Sequence, residues 1–405
     1  MCVLRPKALV LVFLALVASP ALLQAQINFT LGGHKVQIHS FASQAFAYSN
    51  DNDYLTMHTS SGSAAFTDGG VNISSQITDK FRVGAQVYSR RLGELNKGQV
   101  YLDWAVADYR FASWFGMRVG KVKTALGLYN DRQDVDSLST WALLPQSMYP
   151  IDLRGSTIAH IGGDFYGKIP LHRYGTVAYT AYGGVLPNDV HQGYIYALKN
   201  VLGVPKSYVG PIGGADLKWT TPLKGVLLGA SYMTQHPSGK SVGAPGGPSA
   251  GVAITQESVK REIAQFSVQY TWNKLHIDGE YHRDYRRQLL TGGMGGNIEW
   301  NARSWYTSGA YRFCRWFEAG SYYSRFVPDW QNDHSPAGNH IYDKVVTARF
   351  DLNKFWTVKV EGHFIDGYGA IDSARGFYGF SLLMGEPTTM KPQTNMLMIR
   401  TGFAF

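Results

Sequence analysis

Cysteine is nearly absent from this chain of 405 residues: Cys2 and Cys314 are the two present. Cys2 lies too early for a lipoprotein cleavage site, in a segment that reads as removable. With Cys314 alone remaining, an intrachain disulfide and any metal site built from several cysteines are excluded. Long apolar runs are missing as well. After Gln26 no stretch is long enough for a transmembrane helix, and the mean hydropathy is −0.17. Charged residues make up only 17% of the chain, with no basic run of five or more. A net charge of +9, falling to +7 without Arg5 and Lys7, is too weak and too scattered to indicate nucleic acid. Sustained helical periodicity is almost absent.

What the chain does have begins at its N-terminus. Arg5 and Lys7 precede an apolar stretch from Ala8 to Ala18, and Leu23-Gln24-Ala25 forms a cleavage-like site. Residues 1–25 are therefore expected to be a secretory signal, and 26–405 a single domain. The apolar stretch is too short for a membrane anchor, and Pro20 closes it.

The domain is rich in Gly and in Tyr, Phe and Trp, with apolar and polar residues alternating. In 81–92, Phe81, Val83, Ala85 and Val87 oppose Arg82, Gln86, Tyr88 and Arg90. In 356–364, Trp356, Val358, Val360 and Phe364 oppose Lys359, Glu361 and His363. The last strand, 395–405, sets Leu397 and Ile399 against Arg400. Such period-two alternation is the signature of strands with two unlike faces.

Seven tight turns are expected, at 78–80, 112–114, 170–173, 222–224, 273–274, 314–315 and 353–354. They alternate with eight longer stretches, including 128–156, 186–210, 237–258, 288–301 and 367–394. The result is an all-β fold of about 16 strands, an even number. Soluble sandwiches and membrane barrels both alternate in this way. Aromatics crowd the tight turns (Phe111, Trp114, Trp219, Trp272, Phe313, Trp316, Phe355), as a membrane–water girdle does. The expectation is a transmembrane antiparallel up-and-down barrel with long extracellular loops and short periplasmic turns.

The signal, the sixteen-strand rhythm, the girdles and the terminal Phe405 together resemble Gram-negative outer-membrane porins. Residues 102–111 and 118–123 also look like porin-like proteins of such bacteria. The resemblance implies a water-filled channel for small hydrophilic solutes and ions in the outer membrane. It implies contact with outer-membrane lipid and lipopolysaccharide, and a homotrimer. It further implies that Phe405 is read by the barrel-assembly machinery. In porins the third long loop folds inward, which assigns 128–156 to a constriction.

That loop carries Asp131, Arg132, Asp134, Asp136, Asp152 and Arg154 around the apolar run 141–144. Arg82, Arg90, Arg118, Lys121 and Lys123 precede it. A basic wall facing these acids would set up a transverse field, with a weak preference for anions. Arg118 and Lys121 have opposite parity, so both point inward only if a bulge falls near Gly120. Asp103, Glu280, Arg349, Lys359, Glu361 and Arg400 are further lumen positions by parity.

Three other readings stand beside this one. A barrel hydrolase would draw on His160 and Asp164, and a metal site on His276, Asp278, Glu280, His282 and His363. Like-facing strand neighbours stand about 6–7 Å apart, too far to close a small metal site from one strand. No catalytic residue, metal or cofactor is assigned. A soluble secreted β-rich binding protein is the third alternative.

Overall fold

The computed structural model describes residues 27–188, 190, 202–247, 249–293, 295–369 and 390–405. The signal expected over 1–25 lies outside the described residues, as do parts of the stretches at 186–210 and 367–394.

The strands are β1 (Ile27–Leu31), β2 (His34–Ser49), β3 (Ser63–Gln76), β4 (Phe81–Leu92), β5 (Val100–Ala112) and β6 (Phe115–Lys123). Next come β7 (Ala159–Pro170), β8 (Thr176–Asn188), β9 (Tyr208–Thr220), β10 (Val226–Gln235), β11 (Ser238–Val242) and β12 (Ala253–Trp272). The last are β13 (Leu275–Thr291), β14 (Gly296–Arg312), β15 (Phe317–Val327), β16 (Ile341–Asp351), β17 (Trp356–Asp366) and β18 (Gln393–Ala404). β10 and β11 are one barrel strand broken at Pro237, which has no N–H to give the ladder; both halves pair with β9 and β12.

From β2 onward each strand pairs antiparallel with the next. β18 closes the ring on β2, from Met396 opposite Ser49 to Ala404 opposite Phe41. The barrel thus has sixteen strands and no open edge. All seven expected tight turns join consecutive strands.

Three features depart from expectation. The β12–β14 hairpins run on to Ala253, Thr291 and Gly296, through residues read as loop. Polar side chains occupy both faces there, so no alternation marks the strands. β6 ends at Lys123 rather than 127. β1 was not foreseen. Gly32 and Gly33, at φ +57° and +84°, turn it back onto β2, as a two-residue hairpin requires. It takes up the edge of β2 just past Phe405, whose backbone pairs with Ser40 at 2.6 and 2.8 Å.

The barrel is apolar outside and polar inside. Val87, Ile161, Phe165, Leu217, Phe266, Val346 and Ile399 are exposed on the outer wall. Arg90, Asp103, Glu280, Lys359 and Glu361 are buried within. A soluble sandwich would bury the first set; only lipid accommodates this order. Stacked rings at the tight turns (Phe111 on Phe115, Phe313 on Phe317, Trp316 on Phe350) form one girdle.

Candidate functional site

Between β6 and β7 the chain leaves the wall and crosses the lumen as a series of short 3-10 turns. Residues 124–158 include the loop expected at 128–156. Their side chains and backbone meet three arcs of the wall.

The first arc is β4 and β5. A register shift pairs Gln86 with Trp104 but Val87 with Leu102, so Asp103 bulges inward. It accepts both Nη atoms of Arg154 at 2.8 Å. The Arg154 guanidinium lies 4.2 Å from the Tyr88 ring centroid. Asp134 accepts from Gln86 at 2.6 Å and from Lys123 at 2.9 Å. Burial pushes the Asp134 carboxyl up, but Lys123 and Arg154 outweigh it and hold the group below the ordinary carboxylate range. Arg90 donates to the carbonyl of Ile151 at 2.5 Å.

The second arc is β12–β14. Glu280 accepts from the hydroxyls of Tyr149 (2.6 Å) and Tyr306 (2.8 Å), from Gln265 (2.6 Å) and from the backbone N–H of Leu128 (3.0 Å). The Tyr129 hydroxyl donates to Asp278. Burial is the main reason that both segment tyrosines, Tyr129 and Tyr149, are raised above the usual phenol range.

The third arc is β15–β18. Glu361 accepts the N–H groups of Ala142 and Leu143, each at 2.9 Å. Arg349 donates to the carbonyl of Ser139 at 2.7 Å, and Arg400 to that of Ala142 at 2.8 Å. Asp136 is held by Lys359 at 2.9 Å and Arg400 at 3.2 Å. Burial again pushes Asp136 up, and Arg400 and Lys359 more than offset it, leaving the carboxyl low. Trp141 packs edge-on to Tyr322, with centroids 5.1 Å apart.

All six positions expected in the lumen, Asp103, Glu280, Arg349, Lys359, Glu361 and Arg400, therefore bond to the crossing segment. Asp152 and Arg154 aside, the nine charged positions expected around a constriction separate. Arg82, Arg118, Lys123, Asp131, Arg132 and Asp134 line one cavity of about 510 Å³ in the short-turn half. Asp136 is buried against the opposite wall, and Arg90 against Ile151. Lys121 is on the outer wall. Strand pairing runs through Gly120 without a shift, so no bulge brings Lys121 inward. Its Nζ meets the carbonyl of Leu102, itself an outward residue, at 2.6 Å.

The charges also differ from a basic wall facing acids across open space. Asp134 and Asp136 touch their wall cations directly, and Arg118 is taken by Asp164 at 2.7 Å. The acids fasten the segment. His160 meets the Thr124 hydroxyl at 3.0 Å, and Asp164 belongs to Arg118. Asp278 and Glu280 serve the segment's tyrosines, as above. Sequence reading missed the hydroxyl anchors Tyr149 and Tyr306 and the ring of Tyr322. It treated tyrosine as a girdle residue. Inward parity would have found Tyr306 and Tyr322 on the wall, whereas Tyr149 lies on the crossing segment, where no strand parity applies.

No family model matches the chain, and no curated protein matches it. Solved structures do. An outer-membrane expressed OmpT of Vibrio cholerae is similar at TM-score 0.57 and 10% identity, over 94% of this chain and all of its own. An anion-selective porin from Comamonas acidovorans is similar at TM-score 0.56 and 11% identity, over 92% of this chain and all of its own. Salmonella typhi OmpF, in a complex with daunomycin, gives TM-score 0.54 and 12% identity, over 94% of this chain and all of its own. Identities this low speak for architecture alone: the chain has the sixteen-stranded barrel fold of outer-membrane porins.

Proposed function

We propose that the protein is an outer-membrane porin, a water-filled channel narrowed by residues 124–158 for passive diffusion of small hydrophilic solutes and ions. The observation that carries this reading is the segment itself, inside a closed barrel and tied to three arcs of its wall. Beside it lies the polar cavity of about 510 Å³. Its cations are Arg82, Arg118, Lys123, Arg132 and Lys218, and its acids Asp108, Asp131, Asp134 and Asp216. This near balance supports a weak anion preference at most. A homotrimer and an assembly role for Phe405 belong to the same proposal and rest on the porin resemblance. One of the similar Vibrio cholerae structures is of a trimer form.

Single-channel recording in planar bilayers tests the reading. Purified protein gives stepwise conductance in simple salts. A preparation that inserts but never conducts would overturn it.

A further inference from the structure

The crossing segment carries side chains that take no part in fastening it. In the turn Asn130–Arg132, Asn130 is buried and donates to the carbonyls of Thr124 and Thr157, each at 2.8 Å. Asp131 and Arg132 are left exposed, lining the cavity of about 510 Å³. In the turn Asp136–Leu138, Asp136 is taken by Lys359 and Arg400. Leu138, two residues on, lines the same cavity with 63% of its surface exposed, and Val135 lines it as well.

A leucine left bare inside a polar lumen returns nothing to the fold, since burial is what stabilises an apolar side chain. The charges beside it are equally unspent. The backbone carbonyl of Asp131 accepts from Lys123 Nζ at 2.7 Å, but its carboxylate has no hydrogen bond or ion pair among the described residues. Arg132 lies 4.8 Å from the Tyr129 ring centroid, and Arg82, on the β4 wall, reaches the Ser74 hydroxyl at 3.1 Å. The cavity's other charges are engaged. Arg118 is held by Asp164, Lys123 by Asp134, and Lys218 stands 3.5 Å from Asp216. Asp108, opposite Arg82 in the ladder, accepts from the Tyr166 hydroxyl at 2.5 Å. What stays open is two guanidiniums, one carboxylate and an apolar patch.

We infer that this cavity is a binding site for zwitterions with an apolar side chain, of which apolar α-amino acids are the simplest case. The inference rests on the channel reading above and names its solute class. The carboxylate goes to the guanidinium forks of Arg82 and Arg132, the ammonium to Asp131, and the side chain to Val135 and Leu138. The volume lies within the range of about 300–1,000 Å³ that small-molecule sites occupy. A simple anion is repelled by Asp131, and a simple cation by Arg82 and Arg132. A neutral sugar leaves both the charges and the apolar patch unmatched.

Equilibrium dialysis of the detergent-solubilised protein with radiolabelled L-leucine, near neutral pH, tests this. Three unlabelled competitors each lack one feature: 4-methylpentanoate the ammonium, L-leucinamide the carboxylate, and glycine the apolar side chain. Unlabelled leucine displaces the label at a concentration at least about tenfold below any of the three. Asp131→Asn closes the gap to 4-methylpentanoate, and Leu138→Ser the gap to glycine. Both side chains are exposed and outside the ties that seat the segment, so both variants remain folded barrels. Lys121→Gln, on the outer wall, keeps all three gaps. Competition by any of the three equal to that of leucine overturns the proposal. So does full discrimination by a folded Asp131→Asn barrel, or no saturable leucine binding up to tens of millimolar. Conductance is read separately. A protein that conducts but binds no leucine defeats this inference alone. One that binds leucine but never conducts defeats the channel reading and leaves the site standing.

Discussion

Lys359 joins the barrel wall to Asp136 of the crossing segment, Nζ to Oδ1 at 2.9 Å, and neither side chain reaches solvent appreciably. The same ammonium donates to the carbonyls of Asp136 at 2.6 Å and Trp141 at 3.0 Å. Three bonds from one buried cation fix the place where the segment meets β17.

Removing that cation leaves a buried carboxylate and two carbonyls short of a partner. Breaking a buried pair from one side costs roughly 3–5 kcal/mol. Here the loss falls on the seat of the segment, because the strand ladder of β17 is untouched. Lys359→Met therefore keeps a heat-resistant barrel but shows larger and noisier single-channel conductance. Recordings indistinguishable from wild type would separate Lys359 from the segment's position.

Two glycines make room for the segment's attachments, one at this seat and one at the Glu280 hub. A Cβ on Gly402 would stand 2.6 Å from Oδ2 of Asp136. On Gly127, at φ +62°, it would stand 2.0 Å from Gln265 Nε2 and 2.7 Å from Glu280 Oε2. Gly127→Ala is strained in backbone and displaces the Glu280 hub, so it lowers the melting temperature and alters conductance. Gly183→Ala, whose nearest neighbour would be 3.9 Å away, changes neither. Equal melting temperatures for the two variants would count against the hub.

The sequence made the barrel legible because lipid imposes a period of two across the apolar band, interrupted by register shifts such as those near Phe46 and at Asp103. Beyond the apolar band that constraint ends, which is why β12–β14 overran their expected ends. Parity also placed Lys121 opposite Arg118, and the structure keeps it there without the bulge invoked to rescue it. The bulge lies at Asp103 instead, where no glycine marks it. Inward parity named the wall residues that hold the segment, but not their partners. Whether Asp134 faces Lys123 across water or touches it depends on the path of 124–158, which has no periodicity to read.

Asp134 and Asp136 fix the acid response of the channel. Both folded-state carboxyls are depressed, so the stabilisation they give is complete above the ordinary carboxylate pKa of about 3.9 and is lost as pH falls through the lower folded values. The segment stays seated from neutral pH down to about 4 and loosens below. Conductance measured against pH is flat over the first range and changes only in the second. A transition centred near pH ~6, where histidine titrates, would assign the response to other groups.

Ion selectivity separates the inner wall from the outer one. Arg82 bonds only to the Ser74 hydroxyl, at 3.1 Å, among the contacts described, and Arg132 lies against the Tyr129 ring in the same cavity. Neither charge is cancelled by a touching acid, so these two set the sign of the field a solute meets. Arg82→Gln/Arg132→Gln moves the reversal potential in a salt gradient toward cation preference. Lys123→Gln shifts it less, because Asp134 already screens that ammonium at 2.9 Å, and its main effect is to free the segment and raise conductance. Lys121→Gln, on the outer wall, leaves the reversal potential where it was. A larger shift from Lys121→Gln than from the Arg82/Arg132 pair would mean that solutes do not pass through the cavity beside residues 131–138.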